Sequence, residues 1–110
     1  MKRLASIIAA GVMALSAAQA WAADKVTLQL KWVTQAQFAG YYVAKDKGFY
    51  GEEKLDVEIK PGGTDIAPAQ VLAGGGADFV LDWMPSALAT REKGLALVNI
   101  AQPFKSSGMM

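Results

Sequence analysis

The sequence predicts an α/β fold, with a parallel sheet built from strands and helices in the order βαβαβαβ. Residues 26–30 and 55–60 alternate apolar and polar side chains, the period of two that is typical of strands. Segments rich in helix formers end at Gly48 and Gly94, and glycine is the residue that most readily closes a helix. Because strands separated by such helices pair in parallel through right-handed crossovers, this order favours an open sheet over a sandwich.

The first strand, residues 26–30, leads directly into Trp32. In open α/β sheets the ligand binds beyond the carboxyl ends of the strands, so this indole stands where a ligand would lie. The first helix is predicted over residues 38–47, because this segment is rich in helix formers and is followed by Gly48.

The second strand, residues 55–60, is stopped by Pro61 and the two glycines that follow it. Thr64 or Asp65 would cap a second helix that runs from about residue 66 to residue 72. A proline within its first turn is compatible with that start.

The glycine run at residues 74–76 is interpreted as a connecting turn, because its spacing matches neither a dinucleotide-binding nor a nucleotide-triphosphate loop. A third strand is predicted at residues 78–83, where a continuous apolar run is typical of a strand covered on both faces. A third helix over residues 86–93 and a fourth, apolar strand over residues 95–101 complete the pattern.

The N-terminal segment, residues 1–22, predicts a secretory signal peptide. Lys2 and Arg3 precede an apolar run over residues 4–18, and the alanines that follow fit a small-x-small cleavage motif. The run is shorter than the about 20 apolar residues that a membrane span needs. We therefore expect an exported protein whose mature part, residues 23–110, contains at most one domain.

Composition narrows the classes of function. Without Lys2 and Arg3 the 11 basic residues become 9, against 10 acidic residues, so the mature chain would carry a net charge of −1. A nearly neutral chain favours no nucleic acid partner. Because the sequence contains no cysteine and no histidine, it offers neither a disulfide framework nor the usual nitrogen and sulfur metal ligands. We predict no metal and no cofactor.

Aromatic and acidic residues near the strand ends are the candidate ligand-binding groups. Trp32 and Trp83 follow the first and third strands and could stack on a flat ring; the polar residues beside Trp32 favour this role there, whereas packing in the core is the stronger alternative for Trp83. Asp82 would either cap the next helix or accept a hydrogen bond from a ligand amine. Tyr41 is the tyrosine chosen to face the ligand, and Tyr42 the one expected to pack.

The loop after the second strand offers a second group of candidates. The backbone N–H groups of Gly62, Gly63 and Thr64 stand at a predicted helix start, which suits an anion. Asp65 beside them would repel one. Two tryptophans together with carboxylates therefore favour a neutral, amine-bearing heteroaromatic ligand over nitrate or a sulfonate.

Four segments carry a resemblance to a known family, and the resemblance extends over residues 26–110. They read KWVTQAQFAGYYVAKDKGFY, LDVEIKPGG, GGGADFVLDWMPSALATREKG and LVNIAQPFKSSGM. In this order they resemble the substrate-binding proteins of the thiamine-pyrimidine precursor family, relatives of the nitrate, sulfonate and taurine binding proteins of ABC importers.

The resemblance implies a type II periplasmic binding protein fold, in which two α/β lobes joined by a hinge clamp a small-molecule ligand. Members of the family are longer than this chain, so residues 23–110 are expected to form an incomplete N-terminal lobe of a truncated chain, marginally stable because so short a piece buries little surface. The family's partner is an ABC permease in the inner membrane, to which the ligand is delivered.

The predicted function is therefore the periplasmic substrate-binding component of an ABC transporter that imports a thiamine pyrimidine precursor such as hydroxymethylpyrimidine. Binding of riboflavin, nitrate, a sulfonate or taurine, and a nonfunctional fragment, remain alternatives. One branch of the family resembles pyrimidine synthases, which use a lysine and a histidine where this sequence reads Asp82 and Ser86. Because the chain contains no histidine, we predict a protein that is not an enzyme.

Overall fold

The computed structural model describes residues 22–106, which form a three-stranded parallel sheet with helices between the strands. The strands are β1 (Asp24–Gln29), β2 (Leu55–Lys60) and β3 (Phe79–Val80), in the spatial order β2-β1-β3. The predicted signal peptide, residues 1–22, lies outside the described residues except for its last position. Among the described helices none is long and apolar enough to cross a membrane.

Within residues 22–106, four α-helices connect and follow the strands. A 3-10 turn, Ala36–Phe38, leads into α1, and the helices are α1 (Ala39–Asp46), α2 (Phe49–Glu52), α3 (Pro68–Ala73) and α4 (Met84–Glu92). The predicted α/β fold with a parallel sheet is confirmed. α2 is an additional short helix that the sequence pattern did not indicate.

The central strand β1 sets the register of the sheet. It pairs with β2 along its whole length, so that Gln29 lies opposite Lys60. On its other side Leu28 lies opposite Phe79 and Gln29 opposite Val80. All three strands run in the same direction, and their carboxyl ends therefore meet at one edge of the sheet, where ligands of open α/β proteins bind.

Glycines end the longer helices as the sequence predicts. Gly48 and Gly94 follow α1 and α4 with left-handed φ angles of 79° and 98°. At the end of α3, Gly75 has a φ of 74°, and Gly76 donates its N–H to the carbonyl of Val71 at 2.9 Å. That bond spans five residues and belongs to a Schellman motif, so the glycine run is a helix-ending turn, as interpreted from the sequence.

The predicted start of the second long helix is wrong. α3 begins at Pro68 instead of residue 66, and neither Thr64 nor Asp65 caps it, because the N-cap is Ala67 with an extended backbone (φ −98°, ψ 101°). The ring of a proline disfavours helical backbone in the residue before it, so the helix cannot start earlier.

The predicted fourth strand is also absent: residues 95–101 form neither helix nor strand. Val98 and Ile100 are 83% and 71% exposed. A strand forms only where a neighbour offers backbone hydrogen bonds, and β3 contributes just two residues to the ladder. The β3 ladder itself is shorter than residues 78–83, although backbone bonds from Asp78 to Thr27 and from Leu81 to Gln29 extend the pairing at each end.

Gln29 is a buried polar residue at the carboxyl end of β1. Its side-chain amide donates to the carbonyls of Leu30 and Pro61, both at 3.0 Å. The alternation of β1 suggested that only one face is buried, but β1 is the central strand and Gln29 is covered on the polar face. Its hydrogen bonds join the end of β1 to the loop after β2. The buried apolar residues of the described part of the chain include Leu30, Phe38, Val57, Ala69 and Ala77.

Candidate functional site

The structure brings Trp32 and Trp83 together beyond the carboxyl ends of β1 and β3. Their ring centroids lie 6.5 Å apart and the ring planes are inclined by 27°, a stacked arrangement. Trp83 is 46% exposed and Trp32 is half-buried. Neither indole is part of the closed core, so the pair presents an aromatic surface at the edge of the sheet where ligands bind.

The register of the sheet explains why these two indoles meet. β1 and β3 pair with an offset of 51 residues, since Thr27 contacts Asp78 and Leu28 lies opposite Phe79. The same offset relates Lys31 to Asp82 and Trp32 to Trp83. The last backbone hydrogen bond of the ladder is donated by Leu81 to Gln29, at 2.9 Å. Beyond this bond, the segments that follow β1 and β3 stay in register through contacts between their side chains.

Lys31 and Asp82 form an ion pair beside the indoles. The distance from Lys31 Nζ to Asp82 Oδ1 is 2.8 Å, and the two side chains are 17% and 8% exposed. The Lys31 ammonium also lies 5.2 Å from the centroid of the Trp83 ring, within the range of a cation–π interaction. The ion pair and the indole stack are therefore one connected cluster, which we call the tryptophan cluster (Lys31, Trp32, Asp82, Trp83).

Asp82 does not cap the helix that follows it. The N-cap of α4 is Trp83, and no side chain bonds to the first turn of this helix. Instead Asp82 Oδ1 accepts a hydrogen bond from the backbone N–H of Trp83 at 2.8 Å. The helix-cap alternative is thus wrong. Because this one oxygen also receives Lys31, the second carboxylate oxygen, Oδ2, is the one left to meet a ligand amine.

Gly62 contacts the tryptophan cluster through its backbone. Its N–H donates to the carbonyl of Trp32 at 3.0 Å. A Cβ atom at this position would lie 2.6 Å from the carbonyl carbon of Lys31 and 2.6 Å from the nitrogen of Trp32. Gly62 is therefore required for close packing of two loops, and its N–H is already used within the protein.

The structure supports the sequence-based expectation that the loop from Gly62 to Thr64 does not bind an anion. The loop does not open a helix, because α3 begins at Pro68 and contains only six residues. The Asp65 carboxylate lies against Gly63, with Oδ1 3.1 Å from the position of a Cβ there, and would repel an anion. Within residues 22–106 the N–H groups of Gly63 and Thr64 donate to no protein acceptor, so they remain candidates for a neutral ligand.

Tyr41 lines a different groove, together with Gln37, Gly40, Pro103 and Phe104. Its hydroxyl oxygen is buried and has no hydrogen-bond partner in the described part of the chain. Burial, and secondarily the nearby Tyr50 hydroxyl, raise the pKa of Tyr41 above its ordinary value. None of the residues that line this groove belongs to the tryptophan cluster, so the groove does not unite Tyr41 with the other candidates.

Sequence reasoning missed Lys31 as a member of the site. The signal that could have found it was its position, because Lys31 precedes Trp32 as Asp82 precedes Trp83. Across residues 22–106 no group of three or more acidic, histidine or cysteine side chains is placed to hold a metal ion. The site can therefore bind a ligand by ring stacking and through one buried carboxylate, which is already paired with an ammonium.

Comparisons with known proteins agree with the resemblance seen in the sequence. Residues 35–109 match the model of a family described as NMT1/THI5 like. The chain is 30% identical over 103 residues to a formylaminopyrimidine-binding protein of Halalkalibacterium halodurans, covering 94% of this chain and 31% of that protein. It is 28% identical over 80 residues to a protein of Haemophilus influenzae named for thiamine biosynthesis, covering 73% of this chain and 26% of that one.

The chain thus spans less than a third of the length of these relatives. No solved structure matches it significantly. The three-stranded parallel sheet is consistent with the N-terminal part of a periplasmic binding protein fold, as the sequence predicts.

Proposed function

This chain belongs to the NMT1/THI5-like family, and from that premise we propose that it is the first part of a protein that captures a thiamine pyrimidine precursor. The relative named formylaminopyrimidine-binding protein supports this class of ligand. Its name describes binding and not catalysis, which supports a role without enzymatic activity. The chain covers 31% of that relative, so the activity of a whole protein is part of the proposal.

The observation that carries the proposal is the stacked pair of Trp32 and Trp83 with a carboxylate beside it. A pyrimidine ring would stack on the exposed part of the Trp83 indole. The exocyclic amine of the ring would donate to Oδ2 of Asp82. A flat ring and one amine are the two features that such a surface can recognise.

The charges of the cluster favour a neutral ligand over an anion. Lys31 is the cation that contacts the indoles, and it is paired with Asp82 at 2.8 Å. Nitrate or a sulfonate such as taurine would have to compete with that carboxylate for the ammonium. An ion pair this well buried is costly to break, because it leaves one charge uncompensated. The site is thus proposed to select an uncharged ring.

We further propose export and delivery to an ABC permease. Residues 1–22 carry the features of a signal peptide, and the sequence resembles binding proteins of importers. In this proposal a second lobe of the whole protein closes over the ring and excludes water. Determining the N-terminal residue of the exported product tests the first step, with cleavage after Ala20 or Ala22 expected.

Tryptophan fluorescence tests ligand binding directly, since the chain contains three tryptophans and two of them form the cluster. The mature part, residues 23–110, lacks Trp21, so Trp32 and Trp83 are its only indoles. After circular dichroism has established that the protein is folded, it is titrated with hydroxymethylpyrimidine, formylaminopyrimidine, riboflavin and taurine. Saturable quenching by the pyrimidines, with none by taurine, is expected. Saturable binding of taurine or riboflavin without binding of a pyrimidine would refute the proposal.

A further inference from the structure

The connections between Lys31 and Trp83 suggest a role for this lysine beyond charge balance. Lys31 and Asp82 immediately precede Trp32 and Trp83, so the ion pair and the aromatic stack are consecutive contacts along the same two strand ends. We propose that Lys31 is the positioning residue of the cluster: it holds Trp83 against Trp32 through Asp82. The effect of Lys31 on ligand affinity, which follows from this inference, rests on the proposed function.

The backbone alone does not fix Trp83. Pairing between β1 and β3 covers two residue pairs, and its last hydrogen bond runs from the N–H of Leu81 to Gln29. Trp83 lies two residues further on and is half exposed, which leaves its ring few packing neighbours. Contacts between side chains must therefore continue the register that the ladder no longer imposes.

Asp82 links Lys31 to Trp83 by contacting both residues. Its Oδ1 atom receives the Lys31 ammonium and the backbone N–H of Trp83, both at 2.8 Å. The carboxylate therefore fixes the peptide unit that starts α4. Because the Asp82 side chain is only 8% exposed, it is poorly hydrated and depends on these partners.

Lys31 also acts on the indole directly. Its ammonium lies 5.2 Å from the centroid of the Trp83 ring, where the negative ring face attracts a cation. The same group thus holds the backbone of Trp83 through the carboxylate and its side chain through the ring. Loss of Lys31 would release both constraints and let the exposed indole turn away from Trp32.

Substitution of Lys31 tests the proposal, with Lys60 as the matched control. Lys60 ends the neighbouring strand β2, and its ammonium donates to the backbone carbonyl of Gly76 at 3.1 Å. Lys31→Met and Lys60→Met remove the same charge and one hydrogen bond each. Lys31→Arg keeps the charge and can bind both a carboxylate and a ring face.

The first readout needs no ligand. Two stacked indoles give an exciton couplet in far-ultraviolet circular dichroism, and Trp83→Phe in the mature chain, residues 23–110, assigns it. We expect Lys31→Met to abolish most of the couplet in a protein that still melts cooperatively, Lys60→Met to keep it and Lys31→Arg to restore it. A full couplet in folded Lys31→Met, or equal loss in Lys60→Met, overturns the proposal. If Lys31→Met does not fold, Lys31→Gln is measured against the same criteria.

The second readout is affinity for hydroxymethylpyrimidine. Lys31→Met is expected to weaken binding about tenfold, equivalent to about 1.4 kcal/mol, and Lys60→Met to leave it unchanged. Unchanged affinity in Lys31→Met would overturn the positioning role. A couplet that depends on Lys31 in a protein that binds no pyrimidine would refute the proposed function and support the positioning role.

Discussion

The backbone N–H of Gly62 donates to the carbonyl oxygen of Trp32 at 3.0 Å, which joins the loop after β2 to the indole that follows β1. The loops can approach this closely only because position 62 has no side chain. The φ angle of Gly62 is not among the positive values of this structure, so the requirement for glycine is steric. The position of Trp32 therefore depends on a glycine that precedes a different helix.

Gly62→Ala is expected to destabilise the protein. The added methyl group would lie 2.6 Å from backbone atoms of Lys31 and Trp32, and backbone atoms cannot move aside as a flexible side chain can. Overpacking of this kind typically lowers the free energy of unfolding by about 1–3 kcal/mol. Urea denaturation monitored by circular dichroism measures the change.

Gly51→Ala is the matched control. A Cβ atom at Gly51 in α2 would meet no atom within 4 Å, so replacement there should be neutral or should stabilise by about 0.5–1 kcal/mol. A Gly62→Ala protein as stable as the Gly51→Ala protein would show that the loops separate without cost.

The sequence predicts those parts of the fold that are determined by residues close together along the chain. The period of two in β1 and β2, and the glycine stops at Gly48 and Gly94, are local signals, and the structure confirms them. The apolar segment at residues 95–101 has the same kind of signal but forms no strand. A strand also needs a partner elsewhere in the sheet, and composition cannot show whether one is present.

In the candidate site, too, some features can be predicted from the sequence and others cannot. That Trp32 and Trp83 lie at one edge of the sheet follows from the direction of parallel strands, and the structure brings them together. The contact of Lys31 with Asp82 depends on a register with an offset of 51 residues, which only the paired strands define. For Tyr41 the sequence offers only a helical position, and this residue lines another groove.

Removing either indole is expected to weaken the binding of a pyrimidine. Offset aromatic stacking contributes about 0.5–1.5 kcal/mol beyond buried area, so Trp83→Ala should lower affinity by a factor of roughly 2–10. Trp32→Ala should lower affinity by a similar factor and should change the melting temperature only slightly. Calorimetric titration and thermal melts are the measurements.

Phe49→Ala is the control for these two substitutions, because Phe49 is an aromatic residue of similar exposure, 53%, on α2. It should leave affinity unchanged. If Trp32→Ala lowers the melting temperature strongly and leaves affinity intact, then Trp32 is a packing residue and the ligand lies elsewhere.

Asp82→Asn separates the two roles of the carboxylate. The amide oxygen can still accept the N–H of Trp83, but the charge that pairs with Lys31 and attracts a ligand amine is gone. We expect affinity for hydroxymethylpyrimidine to fall, while a methylpyrimidine that lacks the exocyclic amine should lose far less. Competition titrations with the two rings measure the difference. An equal loss for both rings would mean that Asp82 acts only by holding the indoles.

Asp82→Asn should also destabilise the protein, since it leaves the Lys31 ammonium, 17% exposed, without its partner. The loss should lie between that of an exposed pair, about 0–1 kcal/mol, and that of a fully buried one, about 3–5 kcal/mol. Combining Asp82→Asn with Lys31→Met should recover part of this loss, because the unpaired charge is then absent. A double variant that loses the sum of both single effects would show that the pair does not interact.

Tyr41→Phe is expected to stabilise the protein slightly at neutral pH. The buried Tyr41 hydroxyl has no partner within residues 22–106, and its replacement by a hydrogen atom removes an unsatisfied polar group without changing the ring. Removing such a group can recover about 1 kcal/mol. Tyr42→Phe is the control, because the Tyr42 hydroxyl lies 3.4 Å from Thr34 Oγ1 and has a partner to lose.

The difference between the wild-type protein and Tyr41→Phe should grow at alkaline pH. Burial raises the pKa of Tyr41 in the folded protein above the ordinary 10.0, with a smaller contribution from Tyr50. As the pH rises, Tyr41 in the unfolded chain therefore loses its proton first. The part of the stability that comes from this pKa difference is fully present below pH 10.0 and is lost as the pH rises through the folded-state pKa. Urea denaturation on both sides of pH 10.0 measures this loss, which Tyr41→Phe should reduce. If both proteins lose stability equally, the phenol of Tyr41 is accessible to water, and its groove is open.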